Sequence, residues 1–513
     1  MELGQYLYVQ PQYTSDGVEG FDTIDGALEG SVASLSWDPS SLLSMVSFGY
    51  LTGDRTLISQ ISRTPWMGSL GAQGGVNLAT IPSHGRKWGS YQEIAGRLQE
   101  LLFEEARSIC RDRKEIYLLL SGGLDSRIIA GIVSLLHRQG ELLCTPVAVT
   151  WGIESSRDVI YGREIAKILG FSWQHLPLES RHLLDNVESS ATLLGAMISP
   201  VHLHRMTWFK SVSSDALVIA ASYGDSVGRG EFSGRTLLEL KKMVPTDRFG
   251  LLSTGLVPAG MAGIASDFEN IRERSMAQPA YVAREYERQG FYMRSLIGHA
   301  MSLVGQYCRA YQMFTHPKVY SYIWSIHPSL RTDHVYAALL DSLHPDLAAM
   351  PWARTNRALK GVTSAIHRQA QKNFHQYKNW IQSTLYDEIY DCVQPEWFAD
   401  RGIFRRESVR NLAERIRRNT IDTRLEGSHS EEVWIWMASL RLFCEHLERT
   451  NRPISVRHSE PAVNDRRQLA LKQQSVSKLR RLMRRSPFLR RGVREVRRFL
   501  LRRRAIFEYP PQR

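Results

Sequence analysis

The residues best suited to chemistry are the hexapeptide Ser121-Gly122-Gly123-Leu124-Asp125-Ser126. Two adjacent glycines let the backbone approach a ligand closely, and two hydroxyls stand near a carboxylate. An apolar run, 116–120, precedes the hexapeptide and an apolar-rich segment, 127–136, follows it, which predicts a buried strand, a tight loop and a helix start. The N–H groups of such a loop and helix favour an anion. We therefore expect a phosphate cradle, with a plain strand-to-helix turn as the alternative.

Asp125 adds a metal to this prediction, because a carboxylate repels phosphate unless a divalent cation lies between them. Mg²⁺ is held by one or two carboxylates together with phosphate oxygens. A second aspartate, Asp225, enters the glycine-rich loop 224–230 directly after the apolar run 216–221. Asp225 is therefore a candidate second carboxylate for such an ion. A capping or turn role is the alternative for Asp225.

The surrounding elements should position both loops in an α/β fold. The patterns predict a helix over 91–110, a strand over 146–151, and a helix over 155–170 that ends at a glycine. This alternation predicts a parallel sheet with helices on both faces, a small β-rich region before it and helices after it. Ligands lie at the carboxyl ends of such strands, so the backbone near Val149 and Thr150 is a candidate adenine rim. An ordinary buried strand is the alternative there.

The hexapeptide lacks the Lys-Ser or Lys-Thr of a Walker A loop and resembles the pyrophosphate loop of the N-type ATP pyrophosphatases. Segments 38–57, 216–230 and 345–360 are similar to asparagine synthetases, so the resemblance to their synthetase domain covers roughly 38–360. It implies an adenine nucleotide alpha hydrolase-like fold, ATP and Mg²⁺ as cofactors, and metal sites at Asp125 and Asp225. The nucleotide-binding residues it implies are Leu120, Ser121, Gly122, Gly123, Leu124, Asp125, Ser126, Val149 and Gly224.

In that family a carboxylate attacks the α-phosphorus of ATP, pyrophosphate leaves, and a nitrogen nucleophile captures the acyl-adenylate. Typical members carry a phosphate-contacting lysine that 331–336 lacks. Basic residues that could balance the charge of pyrophosphate instead are Arg331, Arg354, Arg357 and Lys360. Arg354 and Lys360 join Asp125 and Asp225 as the predicted catalytic residues. Arg127 replaces a common small residue, and we interpret it either as a phosphate contact or as a helix-surface arginine.

The beginning of the chain resembles a degenerate glutaminase domain. In asparagine synthetases the glutaminase nucleophile is an N-terminal cysteine, whereas here position 2 is Glu2 and the first cysteine is Cys110. We therefore expect no glutamine hydrolysis. The nitrogen would come from free ammonia, from an ammonia-supplying protein, or from an amine on the substrate. The acceptor would be a small-molecule or peptide carboxylate.

Composition places the chain among globular proteins, with 513 residues, 43% hydrophobic and 23% charged. We predict a degenerate glutaminase-like region over 1–90, a synthetase-like domain over 91–450 and a basic tail over 451–513. The start lacks the features of a signal peptide, and no apolar run reaches the roughly 18 residues of a membrane span. We expect a cytoplasmic protein.

The basic tail carries almost all of the net charge of +13, since 478–504 holds thirteen Lys or Arg and one acid. Leu489, Val493, Val496 and Leu500 place an apolar stripe on an arginine-rich helix. Such a helix suits an anionic membrane surface. Nucleic acid is a less favoured partner, and a solvated disordered tail is a further alternative.

Together these features predict an AMP-forming carbon–nitrogen ligase without its own glutaminase. One alternative is another ATP pyrophosphatase, acting on a nucleobase or tRNA. A second alternative is a non-catalytic, nucleotide-binding assembly partner.

Overall fold

The computed structural model describes residues 7–8, 10–15, 19–31, 34–70, 76–82, 84–85, 87–229, 243–275, 278–359, 370–421, 429–450, 452 and 454–455. Lys360 and the apolar stripe of the basic tail lie outside the described residues. The strands are β1 (Tyr13–Ser15), β2 (Glu19–Phe21), β3 (Ile61–Arg63), β4 (Gly68–Leu70), β5 (Val76–Leu78), β6 (Ile116–Leu119), β7 (Val147–Gly152), β8 (Ser172–Pro177), β9 (Leu217–Ala220) and β10 (Arg309–Gln312).

The α-helices are α1 (Ile24–Gly30), α2 (Pro39–Phe48), α3 (Tyr91–Cys110), α4 (Leu124–Arg138), α5 (Arg157–Leu169), α6 (Arg181–Leu194), α7 (Leu256–Arg274), α8 (Ala280–Glu287), α9 (His299–Gly305), α10 (Pro317–Ser325), α11 (Asp333–Leu343), α12 (Pro345–Ala349), α13 (Tyr377–Asn379), α14 (Tyr386–Val393), α15 (Pro395–Asp400), α16 (Arg406–Arg417) and α17 (Ser430–Arg449). Turns of 3-10 or π type occupy Pro200–His202, Met206–Ser211, Gly224–Gly228, Arg288–Gly298, Pro328–Leu330 and Trp380–Thr384.

The centre of the fold is a five-stranded sheet in the order β10-β9-β6-β7-β8. All four neighbouring pairs are parallel, and in the middle of the sheet Leu118 lies opposite both Ala148 and Ile219. Strand β9 is buried along its whole length, as the continuous apolar run over 216–221 suggests. The predicted α/β fold with a parallel sheet is confirmed.

Helices and turns cover both faces of this sheet. The chain runs from β6 through α4 to β7 and through α5 to β8, and then returns past β6 to β9. Right-handed crossovers place α4 and α5 on one face and the returning segment on the other. On that second face the ring of Tyr117 lies 6.0 Å from Trp208 and 6.1 Å from Phe209. The strand order therefore reverses between β6 and β9, where open α/β sheets bind their ligands.

Local signals in the sequence set the helix ends next to the sheet. Helix α3 starts with a capping box, in which Ser90 and Glu93 satisfy each other's backbone N–H groups. Helix α5 ends at Gly170, which adopts a left-handed conformation with φ of 71°. Both helices begin or end within two residues of the predicted positions, because these signals act within one helical turn.

The small N-terminal β region predicted from the sequence is present as a three-stranded antiparallel sheet, β2-β1-β3, with a separate hairpin of β4 and β5. Helix α1 was not expected there. Helix α2 packs on α7 so closely that a Cβ on Gly260 would lie 2.6 Å from the carbonyl oxygen of Pro39. The boundaries at residues 90 and 450 stay predictions. In the described part of the chain, no helix is both long and apolar enough to cross a membrane.

Candidate active site

The predicted phosphate loop connects β6 to α4, and Gly123 is the residue immediately before the helix. The hydroxyl of Ser121 accepts a hydrogen bond from the Gly123 N–H at 3.1 Å, and the hydroxyl of Ser126 accepts one from the Ser121 N–H at 3.2 Å. The two hydroxyl oxygens lie 3.1 Å apart. The loop is therefore a closed ring in which both predicted phosphate-binding hydroxyls already have fixed positions.

A cavity of about 310 Å³ opens at the carboxyl ends of β6, β7 and β9. Six of the predicted nucleotide-binding residues line it, namely Leu120, Ser121, Gly123, Asp125, Ser126 and Val149. Ala221 and Ser222 line it from the end of β9. The structure therefore brings most of the predicted set to the strand-order reversal, the expected place for a ligand.

Aromatic side chains, among them Trp151, His204 and Phe374, form part of the cavity wall. The ring of His204 stacks on Trp151, with ring centroids 5.7 Å apart, and its Nδ1 lies 2.8 Å from the hydroxyl of Tyr377. Burial lowers the pKa of His204 to about 3, so this ring is neutral at physiological pH. A flat, neutral wall of this kind suits a planar aromatic group such as a nucleobase.

Three predicted nucleotide-binding residues have other surroundings. A Cβ on Gly122 would lie 2.7 Å from the Cβ of Ala353, so close packing within the protein requires this glycine. Leu124 is completely buried in the core. Gly224 packs against the carboxylate of Asp125, and its carbonyl accepts a hydrogen bond from the Tyr336 hydroxyl at 2.9 Å. Their roles in nucleotide binding stay predictions.

Asp158 is a site residue that the sequence reading missed. It lines the cavity from the first turn of α5, and its carboxylate accepts a hydrogen bond from the Gly122 N–H at 3.1 Å. Burial raises the pKa of Asp158 to about 6. The available signal was its position, since it is an acid in the first turn of the helix that follows the carboxyl end of β7.

The interpretation of Arg127 as a helix-surface arginine is wrong, and its contact with phosphate stays a prediction. Its side chain is completely buried, so it is no surface arginine, and its guanidinium donates only to backbone carbonyls in the described residues. The acceptors are Leu347 at 3.0 Å, Met350 at 2.7 Å, Gly122 at 3.1 Å and Pro351 at 2.8 Å. Arg127 therefore ties the phosphate loop to the segment 347–351 through its two Nη atoms, whereas its Nε has no hydrogen-bond partner among the described residues.

Arg331 is also unsuited to its predicted role beside pyrophosphate. It is buried and forms a two-point ion pair with Glu285, at 2.7 and 3.0 Å, and His84 lies 2.7 Å from the same carboxylate. The Arg331 guanidinium and the contact with His84 lower the pKa of Glu285 to about 2 in spite of its burial. By contrast, Arg354 and Arg357 are exposed, with the Arg354 guanidinium 5.5 Å from the ring centre of Trp352.

The two predicted metal-binding aspartates both contact the guanidinium of one arginine, Arg229. The Arg229 guanidinium is 2.7 Å from Asp225 and 3.3 Å from Asp125, and it is 2.7 Å from Asp333 on the opposite side. Burial raises the pKa of the Asp125 carboxyl, and Arg229 opposes that rise. The topology therefore brings Asp125 and Asp225 together as predicted, with a cation between them that the sequence reading did not include.

The residues present fit a magnesium ion that arrives with phosphate. Asp125 Oδ1 is buried and has no hydrogen-bond partner among the described residues, which leaves one carboxylate oxygen available. Within the same part of the chain, no cluster of three or more His, Cys, Asp or Glu side chains could hold a metal alone. Mg²⁺ commonly takes one or two carboxylates and completes its octahedron with phosphate oxygens and water.

Comparisons with known proteins point to the same family that the loop sequence resembles. Residues 97–208 match the family model described as asparagine synthase. A probable glutamine-hydrolysing asparagine synthetase of Acanthamoeba polyphaga mimivirus is 34% identical over 85 residues, which are 17% of this chain and 15% of that protein. The chain thus matches only a small part of the length of its curated relative.

Two solved structures match parts of this chain with low sequence identity and low TM-scores. The NMN synthetase from Francisella tularensis is 14% identical, with a TM-score of 0.21, and the match covers 43% of this chain and 94% of that one. The NH3-dependent NAD synthetase from Campylobacter jejuni is 15% identical, with a TM-score of 0.21, over 39% and 94%. Such likenesses decide nothing about function. The segment 97–208, which matches the asparagine synthase model, holds β6, the phosphate loop, β7 and β8.

Proposed function

We propose that the protein is an ATP-dependent ligase that adenylates a substrate carboxylate, releases pyrophosphate and transfers the acyl group to ammonia or an amine. One observation carries the proposal. The loop Ser121–Ser126 faces a cavity at the strand-order reversal of a parallel sheet, inside the segment that matches the asparagine synthase model. A phosphate loop, a neutral aromatic wall and a carboxylate that can take a metal are there within one cavity.

In this reaction the residues of the site would mainly stabilise the negative charge of the leaving pyrophosphate. A carboxylate oxygen bonds to the α-phosphorus, and the bond to the bridging oxygen breaks, so its electron pair leaves with pyrophosphate. The nitrogen nucleophile then attacks the acyl carbon, displaces AMP and loses a proton. The N–H groups at the start of α4 and the hydroxyls of Ser121 and Ser126 would hold the leaving pyrophosphate. Magnesium, when bound at Asp125 and Asp225, would neutralise charge on the triphosphate.

Further positive charge would come from exposed basic residues. Arg354 is exposed and lies one residue after Ala353, whose N–H donates to the Gly122 carbonyl of the loop at 3.1 Å. Its exposed position beside the loop supports a contact with a bound triphosphate. We retain Arg354 and Lys360 as catalytic residues in this proposal.

The acceptor and the nitrogen source belong to the same proposal. A small-molecule or peptide carboxylate would be the acceptor. Because Cys110, the first cysteine in the sequence, is buried in α3, it offers no exposed nucleophile for glutamine hydrolysis. Ammonia, an ammonia-supplying protein or a substrate amine would then provide the nitrogen. An anionic membrane surface, bound through the basic tail, would be a further partner.

The experiment is pyrophosphate release from ATP, measured across a panel of carboxylic acids with wild type and Asp125→Ala. We expect about a hundredfold lower rate in the variant, because an oriented carboxylate at the leaving group is lost. Asp215→Ala is the matched control, since Asp215 lies before the amino end of β9 with a side chain that is 87% exposed. Equal rates in wild type and Asp125→Ala, or products of ADP and phosphate, would overturn the proposal.

A second candidate is nucleotide binding without catalysis, and the ion pairs of Arg229 favour it because they occupy oxygens of both predicted metal ligands. In that case an ATP analogue would bind, while no acid in the panel would elicit pyrophosphate release.

A further inference from the structure

Arg229 stands at the end of the π-type turn Gly224–Gly228, where its N–H donates to the Gly224 carbonyl at 3.1 Å. This turn brings Arg229 back beside Asp225, four residues earlier in the chain. The same guanidinium nitrogen, Nη2, contacts both Asp225 Oδ1 and Asp125 Oδ2. One nitrogen atom therefore bridges the two carboxylates predicted to share metal ions.

The remaining contacts fix the guanidinium in this place. Its other nitrogen, Nη1, donates to Asp333 at 2.7 Å. Its central carbon lies 5.2 Å from the ring centre of Tyr336 and 5.3 Å from that of Trp352. The Arg229 side chain is only 2% exposed, so these ion pairs and cation–π contacts are shielded from water and salt.

The turn is shaped to admit this arrangement. A Cβ on Gly228 would lie 2.0 Å from the Tyr336 hydroxyl, and a Cβ on Gly224 would lie 2.6 Å from Asp125 Oδ1. Glycine at both positions lets α11 and the phosphate loop close around the guanidinium. The bridge is therefore part of the packed structure of the turn.

We propose that Arg229 is a built-in cationic bridge between Asp125 and Asp225, in the place of a shared divalent ion, so that the triphosphate site takes one divalent ion instead of two. The inference rests on the proposed function, because it concerns the metal content of that site. A second Mg²⁺ on the bridged oxygens would need metal–oxygen distances of about 2.0–2.1 Å. It would then lie within a few ångströms of the guanidinium, where two like charges repel strongly in a buried site.

The experiment counts metal ions per bound nucleotide, with Mn²⁺ as the probe and α,β-methylene ATP as the uncleavable nucleotide. Equilibrium dialysis with both components quantified gives the ratio directly. We expect about one Mn²⁺ per nucleotide for wild type and Arg229→Lys, which keeps the charge, and about two for Arg229→Met, which removes it. A ratio of two in wild type, or an unchanged ratio in a folded Arg229→Met protein, would overturn the inference.

A second measurement needs no nucleotide and covers the case in which Arg229→Met is unstable. Without its cation the variant keeps Asp125 and Asp225 facing each other, so Mg²⁺ alone should raise its melting temperature while leaving that of wild type unchanged. Arg331→Met is the matched control, because it also removes a buried arginine. It leaves a single carboxylate, Glu285, and not two carboxylates that could share a metal ion. Mg²⁺ should not rescue it. Equal responses of Arg229→Met and wild type to Mg²⁺ would contradict the bridge.

The two proposals can fail separately. If wild type binds no α,β-methylene ATP, the proposed function fails, whereas the magnesium response of Arg229→Met still decides whether Arg229 stands in place of a metal ion.

Discussion

Arg127 offers the most direct test of how the phosphate loop is held. Its guanidinium donates four hydrogen bonds to backbone carbonyls, one on the loop at Gly122 and three on the segment 347–351. Arg127→Met keeps a long apolar stem and removes all four donors. The bond from the N–H of Ala353, two residues after the segment 347–351, to the Gly122 carbonyl would remain.

The loss of stability can be worked from these contacts. Hydrogen bonds from a charged donor contribute about 1.5 kcal/mol each at the low end, or roughly 6 kcal/mol for four. Burial lowers the pKa of Arg127 to about 10, which corresponds to a cost of about 3 kcal/mol for keeping the guanidinium charged inside the protein. The free energy of unfolding should therefore fall by about 3 kcal/mol in Arg127→Met.

Thermal unfolding measures this loss, and hydrogen exchange locates it. We expect a lower melting temperature and faster exchange at the N–H of Ala353, whose acceptor Gly122 loses its second donor. Arg163→Met is the control, since Arg163 is 54% exposed on α5, and its effect should stay within about 0.5 kcal/mol. An Arg127→Met protein with wild-type stability and exchange but a tenfold higher KM for ATP would refute the structural role and restore a phosphate contact.

Two further predictions concern regions away from the loop. Glu105 is buried on α3 and accepts hydrogen bonds from the Tyr311 hydroxyl at 2.9 Å and the His316 N–H at 3.1 Å, and burial raises its pKa to about 7. Its folded form holds the proton more tightly than the unfolded chain does, so stability should fall by about 3 kcal/mol as pH rises from about 4.5 to about 7.5. Glu105→Gln should remove this loss, and a melting temperature with the wild-type pH dependence would contradict the assignment. For the basic tail, a chain ending near residue 470 should no longer pellet with anionic liposomes, and unchanged pelleting would exclude the tail as the membrane-binding segment.

The sequence predicted the parts of this fold that depend on neighbouring residues. The apolar run before Ser121, the glycines and the helix after them lie within one short segment, so strand, loop and helix could be placed together. Helix α3 was predicted with its observed bounds because its apolar residues repeat at helical spacing, and in the structure a capping box fixes its start. The family resemblance paired Asp125 with Asp225, and the structure brings them together because parallel strands end at the same edge of a sheet.

The role of Arg127 could not be predicted in the same way. Its acceptors are carbonyl groups, which every residue carries, and three of them lie more than two hundred residues later in the sequence. Nothing in the residue types at 347–351 marks them as partners of a guanidinium. The role of Arg331 could not be predicted either, because its partner Glu285 lies on α8, far from it in the sequence.

The sequence analysis did not predict the contacts of Arg127, Arg229 and Arg331 for one shared physical reason. The prediction that basic residues near a phosphate loop contact the phosphate assumes that their side chains can reach it. A guanidinium that is buried when the chain folds must already have partners within the protein, because an unpaired buried charge costs many kcal/mol. Arg127, Arg229 and Arg331 are among the largest fully buried side chains, and their Nη atoms are paired with carbonyls, with three aspartates and with Glu285 respectively. Of the basic residues first considered for pyrophosphate, Arg354 and Arg357 are exposed among the described residues, which makes Arg354 the residue to substitute first when the rate of pyrophosphate release is measured.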